Sequence, residues 1–383
     1  MKKTLYIFLL ILAGGCGIFD DDSSNEPLSK LYVTLQGVDQ VAVLDAENLE
    51  IIKLIDTDFN GSEMDNTPHF VSIDKTNGYW FVTTIMSGYV GMYDLESDAL
   101  IDTLMLGDSP ALMTLDVDNK KLYCSRMMPM AGMMMGTVSQ VIQEIDYSTG
   151  SLESVTEYQI DSPSPHGISV DAASGYIITA SNTADWLYQI DLISGQVTGS
   201  ALDQNINPST PGLEVQRLKP IQCTVTSPNR VVVSCSAGKW MNPYTGVETE
   251  INGNIQLWDT STMTLVDSLN FQWSSKPWHS VKSPISNTIF VVLSGDGSVA
   301  NSSGIASVSI NNDELILNWI SRDNDFHTLH GIDVSGDGSR LFVSSRLTGE
   351  IHMLDANSGT LVSTMQLSDN PDMLLCGGVA AGR

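Results

Sequence analysis

Seven times along this chain an apolar, strand-like run ends in an acidic or amide residue followed by a short turn. The instances are Val43-Leu44-Asp45, Gly91-Met92-Tyr93-Asp94, Gln143-Glu144-Ile145-Asp146, Tyr188-Gln189-Ile190-Asp191, Gln256-Leu257-Trp258-Asp259, Val308-Ser309-Ile310-Asn311 and His352-Met353-Leu354-Asp355. The intervals between their last residues are 49, 52, 45, 68, 52 and 44. A recurrence of this size matches one four-stranded propeller blade. Such a unit cannot bury both faces of its small sheet alone, so the blades must stack around an axis.

Each blade is expected to contain strands A to D, ordered from the axis outward, with the Asp-turn motif closing strand C. Ahead of each motif lies a strand B rich in aromatic and β-branched residues, from Leu31-Tyr32-Val33-Thr34 and Tyr79-Trp80-Phe81-Val82 to Leu341-Phe342-Val343-Ser344. Asn77-Gly78, Ser174-Gly175 and Asp337-Gly338 mark A–B hairpins. Strand A is introduced by Pro68, Pro110, Pro165, Pro220, Pro277 and Pro371, with only the blade at His330 lacking a proline. Proline suits a strand's first position, where its missing N–H costs no ladder bond. The segment from Lys30 supplies strands B, C and D without an A, and Pro371-Asp372-Met373-Leu374-Leu375-Cys376 supplies an A and nothing more. The expected fold is therefore an all-β, seven-bladed β-propeller over residues 30–383, its ring closed by one C-terminal strand plus three N-terminal strands, and read as a monomer.

Residues 1–16 read as an export signal. Lys2 and Lys3 precede an apolar run from Leu5 to Leu12, too short for a stable span. Leu12-Ala13-Gly14-Gly15-Cys16 resembles the bacterial lipobox, although Ala13 stands where a larger aliphatic residue is usual. That resemblance implies lipidation at Cys16 and a lipid-anchored protein of the bacterial cell envelope. Gly17 in place of an inner-membrane retention Asp points to the outer membrane. Residues 17–29, with Asp20-Asp21-Asp22-Ser23-Ser24-Asn25, read as a flexible acidic tether. The net charge is −27, from 18 basic and 45 acidic residues. A surface this acidic repels phosphate backbones and argues against nucleic acid as a partner. The four cysteines at 124, 223, 235 and 376 allow three pairings among which sequence does not choose, and buried thiols are the alternative.

The candidate chemistry gathers at the starts of the A strands. Alignment by proline puts His69, Ala111, His166, Ile221, Trp278, His330 and Asp372 in equivalent places, with His279 one residue on and His327 in the loop before His330. In a propeller the D–A and B–C loops share one face, so these residues are expected to ring one mouth of the axial channel. The same face receives the long B–C loop Arg126-Met127-Met128-Pro129-Met130-Ala131-Gly132-Met133-Met134-Met135-Gly136. Thioether sulfur suits Cu(I), and imidazole suits copper in either oxidation state. Copper held by His69, His166, His279, His327, His330 and Met127, Met128, Met130, Met133, Met134 and Met135 is one reading. The others are a hydrophobic lid or a protein-docking surface, with imidazoles that only shape the channel. Trp240 and Tyr244, in a further B–C insertion, are either recognition aromatics or anchors of their own loop.

With Leu31-Tyr32-Val33-Thr34, the Asp-turn repeats and Pro165-His166-Gly167 in hand, the chain resembles bacterial YVTN/YncE-type propeller repeat proteins across nearly all of residues 30–383. The superfold is shared with the N-terminal domain of nitrous oxide reductase and with quinoprotein dehydrogenase subunits. The repeat is specific for fold and unspecific for function. Nitrous oxide reductase uses a richer histidine set, and Ala111, Ile221 and Trp278 stand against that activity here. No His-Glu-x-x-His, phosphate-binding glycine loop or Gly-x-Ser-x-Gly elbow is present. A lactonase-like site would need a Glu to accompany Arg126, Arg217 or Arg322, and none stands out. The leading expectation is a module that binds a small ligand or a protein at its His/Met-lined loop face; the alternative is a copper-binding protein or copper-dependent oxidoreductase.

Overall fold

The computed structural model describes residues 29–61, 66–129, 139–203, 205, 210–212, 215–367 and 375–382. Cys16, the tether through residue 28, Met130, Met133, Met134, Met135 and Asp372 lie outside the described residues. The described chain is all β, with seven four-stranded antiparallel sheets and one two-stranded insertion. Five sheets are built from consecutive strands, as in Pro68–Asp74, Tyr79–Thr84, Tyr89–Asp94 and Leu100–Met105, and in a sixth the two-stranded insertion falls between Arg230–Cys235 and Asn254–Asp259. The seventh pairs the C-terminal strand Cys376–Ala381 with Lys30–Leu35, followed outward by Gln40–Asp45 and Ile51–Asp56. The ring is thus a seven-bladed β-propeller closed by one C-terminal and three N-terminal strands.

The repeating Asp does local work. Asp45, Asp94, Asp191 and Asp355 each accept backbone N–H groups from the turn that follows, so the carboxylate replaces backbone partners where strand C gives way to strand D. Strand B is buried along almost its whole length, as in Lys30–Leu35 and Tyr79–Thr84, because both its faces meet neighbouring blades. Strand D carries the solvent-facing edge, with Ile51, Ile52 and Leu54 exposed. Blade-to-blade packing supplies the core. Tyr32, Val41 and Val43 of the closing blade meet Trp80, Val82 and Tyr93 of the next, and the Trp80 and Tyr93 rings stack at 3.9 Å. That geometry adds roughly 0.5–1.5 kcal/mol to the area buried.

The closing strand differs from expectation. It begins at Cys376, not near Pro371, and the register Val33↔Val379 makes Gly377 the equivalent of His69. A left-handed residue precedes strand A in every blade, at Thr67, Gly107, Ser164, Lys219, Lys276 and Thr328, and Leu375 marks the same entry here. The physical reason is space. A Cβ on Gly377 would lie 2.5 Å from Thr34 Oγ1 and 2.9 Å from the His69 carbonyl oxygen, so only glycine fits at the crowded inner edge. The four cysteines are free and buried. Cys223 faces Val233 in the ladder, whereas Cys235 faces Pro220.

Candidate functional site

Four imidazoles converge at one end of the axis. His69, His166, His279 and His330 sit at the first residues of their A strands and are each buried. Their rings pack edge to face, with centroids 4.8 Å apart for His279–His330, 5.7 Å for His69–His330 and 6.2 Å for His69–His166. Trp278 lies 5.7 Å from His330, and Phe70 closes on His279 at 5.9 Å. Gln36 donates to His69 Nδ1 at 2.6 Å, which puts the His69 proton on Nε2. His166 Nδ1 donates to the Ile221 carbonyl at 2.6 Å, leaving its Nε2 as a lone pair. His69 Nε2, His279 Nε2 and His330 Nδ1 are buried without a hydrogen-bond partner.

Burial drives all four pKa values down, well below the ordinary range for His69 and His330 and to about 3 for His279. The neutral imidazoles form a plug. Arg346, half-buried and itself desolvated, is close enough that its charge further disfavours protonation of His69 and His330. It is the residue immediately after strand B of its blade. Gln36, Ile85, Asn182, Ser236 and Ser294 hold the corresponding place in other blades. Met127 is their counterpart in the second blade and is half-buried. Of the expected ligands, the structure therefore brings together His69, His166, His279 and His330. His327 is exposed and apart from them, and Met128 lies in the extended strand Lys121–Pro129.

Among the described residues, no group of three or more His, Cys, Asp or Glu is placed to hold a metal ion. Electrostatics point the same way, since a guanidinium that suppresses imidazolium also repels a bound cation. Trp240 anchors its own loop. It sits in the hairpin of Gly238–Met241 and Glu248–Ile251, donates to the Val215 carbonyl at 2.7 Å and carries Arg217 over its ring at 5.9 Å. Tyr244, at the tip of that hairpin, is 79% exposed.

Beyond the plug the axis opens into a cavity of about 440 Å³, reached from the face that carries the A–B turns. Its wall is a ladder of A-strand residues. Four places after the strand-opening proline come Ser72, Thr114, Ser169, Thr224 and Val281, and Asp333 and Ala380 complete that level. Lys75 and Lys282 line the cavity as well. Asp333 is half-buried, its carboxyl accepts the Val334 and Ala381 N–H groups, and desolvation pushes its pKa up to about 6. Sequence reasoning missed this level, although the column of hydroxyls four residues past the prolines was there to read.

No protein-family model matches the chain, and no curated protein does. Solved structures share the fold. A functionally unknown protein from Desulfotomaculum acetoxidans has TM-score 0.66 at 13% identity, over 92% of this chain and 99% of that one. Hydrazine synthase of Kuenenia stuttgartiensis has TM-score 0.61 at 13% identity, over 80% and 89%. The β-propeller domain of Cps50 (Swd1) from Myceliophteria thermophila has TM-score 0.58 at 12% identity, over 81% and 89%. At such identities the likeness establishes the β-propeller and nothing of its task.

Proposed function

We propose that this protein is an exported, lipid-anchored binding module of the YVTN/YncE type, and that its ligand is a small molecule held in the axial channel. The observation that carries the reading is the cavity of about 440 Å³ in the axial channel, open at one mouth, with four buried imidazoles packed on one another at the other end of the axis. Ligand sites of propellers and barrels collect where strand ends converge, and this volume lies in the range of small-molecule pockets. The site moves from the loop face to the channel because the histidines of that face are buried against one another. Attachment through Cys16 rests on the lipobox-like pattern. Cys16→Ser is expected to shift the protein from the membrane fraction of an expressing bacterium to the soluble one, and a protein that stays membrane-bound would overturn the anchor.

The channel itself is tested with the full chain incubated in a whole metabolite extract, washed, and analysed by native mass spectrometry. Retention of a small molecule is expected, and Ser72→Trp, which fills the channel, is expected to remove it with an unchanged melting temperature. Equal retention by both proteins, or by neither, would sink the reading. Copper binding has one observation in its favour, the three unpartnered imidazole nitrogens. Against it, no group of three or more His, Cys, Asp or Glu among the described residues is placed to hold a metal ion. A Cu(I) titration that shows stoichiometric binding lost in His279→Ala would reverse this judgement.

A further inference from the structure

We infer that the channel ligand is a small organic carboxylate, held by Lys282 just inside the open mouth; this rests on the reading of the channel as a ligand site. The charged groups in the wall are Lys75, Lys282 and Asp333. The Asp333 carboxylate is engaged, receiving the Val334 N–H at 2.8 Å and the Ala381 N–H at 2.7 Å and feeling the charge of Lys75. Lys282 stands differently. It is the last residue of the strand Pro277–Lys282, half-buried, and its side chain makes no ion pair or hydrogen bond with any described residue. In a chain with 45 acidic and 18 basic residues, a lysine set in a cavity wall without a carboxylate against it is a marked departure.

The neighbouring wall has the matching polarity. Thr114 Oγ1 accepts the Val170 N–H and Ser169 Oγ accepts the Val225 N–H, each at 3.2 Å. A hydroxyl that already accepts keeps its own proton for a further acceptor. The cavity therefore offers the Lys282 ammonium and the hydroxyl protons of Thr114 and Ser169, while its carboxylate already receives two N–H groups. Such a surface selects an acceptor-rich anion. Val71, Ile332 and Val379 line the same space and suit a carbon skeleton better than a bare inorganic ion.

Calorimetric titration of the full chain tests this, with succinate and gluconate as carboxylates, glucose as a neutral polyol, spermidine as a cation and inorganic phosphate. At least one carboxylate is expected to bind saturably. A charge-assisted contact makes Lys282→Met bind it about tenfold or more weakly, with Lys282→Arg recovering most of the loss. Lys239→Met, which removes an exposed lysine paired with Glu248 on the opposite face, is expected to leave binding unchanged. Failure of both carboxylates to bind, or undiminished binding in Lys282→Met, would overturn the inference. Lys282-dependent binding of phosphate alone would replace the organic acid by an inorganic oxyanion. Binding of glucose or spermidine that Ser72→Trp abolishes would overturn the anion and leave the channel reading standing, whereas no retention from extract would remove both.

Discussion

Removal of residues 376–383 is expected to abolish cooperative folding of the propeller. Within them, Cys376–Ala381 forms the innermost strand of the closing blade, paired with Leu31, Tyr32, Val33 and Leu35, and Cys376, Val379, Ala380 and Ala381 are all buried. Their loss would strip one side of the strand Lys30–Leu35 of its ladder. It would also uncover the core cluster that Cys376, Val379 and Ala381 share with Phe342 and Met353 of the preceding blade. Asp333 would lose the Ala381 N–H, and Ser344 would lose its bond to the Gly377 carbonyl. A ladder at about 1 kcal/mol per hydrogen bond, plus several buried side chains, reaches the order of the 5–15 kcal/mol that holds a whole domain together. Circular dichroism melting should show a broad, non-cooperative transition, and size exclusion an expanded or aggregated species. Deletion of Arg383 alone should change neither. A truncated protein that melts cooperatively within a few degrees of the full chain would show that closure by this strand contributes little.

The same strand shows what the sequence could and could not reveal. Blade count and the split closing blade were legible because B strands such as Tyr79–Thr84 are buried on both faces and so must be β-branched or aromatic, and because Asp94 or Asp355 must cap each C–D turn. The closing A strand hid because crowding at the axis selects against those residues. Cys376-Gly377-Gly378-Val379-Ala380-Ala381 has little strand composition, and a Cβ on Gly378 would meet Phe70 Cα at 2.9 Å. A proline five residues earlier was then the stronger cue, and it pointed to Asp372 for the ring place that the register gives to Gly377. The site was half legible. Strand register brought His69, His166, His279 and His330 to one end, yet residue type alone does not tell a rim from a plug. That distinction depends on neighbours such as Gln36 and Arg346, which act on His69 from other blades. Lys282 carried no motif at all, and its place is visible only once its wall of the cavity exists.

Acidification from pH 7 to pH 5 is expected to cost the fold a few kcal/mol. Burial depresses the pKa of His69, His166, His279, His330 and His352 below 6.5, to about 3 for His279. Between the unfolded and folded values the unfolded chain binds these protons and the native one does not. Stability is therefore full above about pH 7 and falls as the pH drops. Asp185 and Asp333 act in the opposite sense. Burial raises each from 3.8 to about 6, so the native state binds their protons first and the two carboxyls favour the fold as pH falls through 6. Five imidazoles against two carboxyls leave a net uptake on unfolding, at about 1.4 kcal/mol per proton per pH unit. Urea midpoints measured from pH 7.5 to 5 should fall steadily. His279→Gln should flatten the dependence, since one titrating group is gone, and Asp333→Asn should steepen it, since an opposing one is. A midpoint that holds or rises toward pH 5 would mean that the histidine plug accepts protons in the native state, and with them a charged channel end in place of the neutral one.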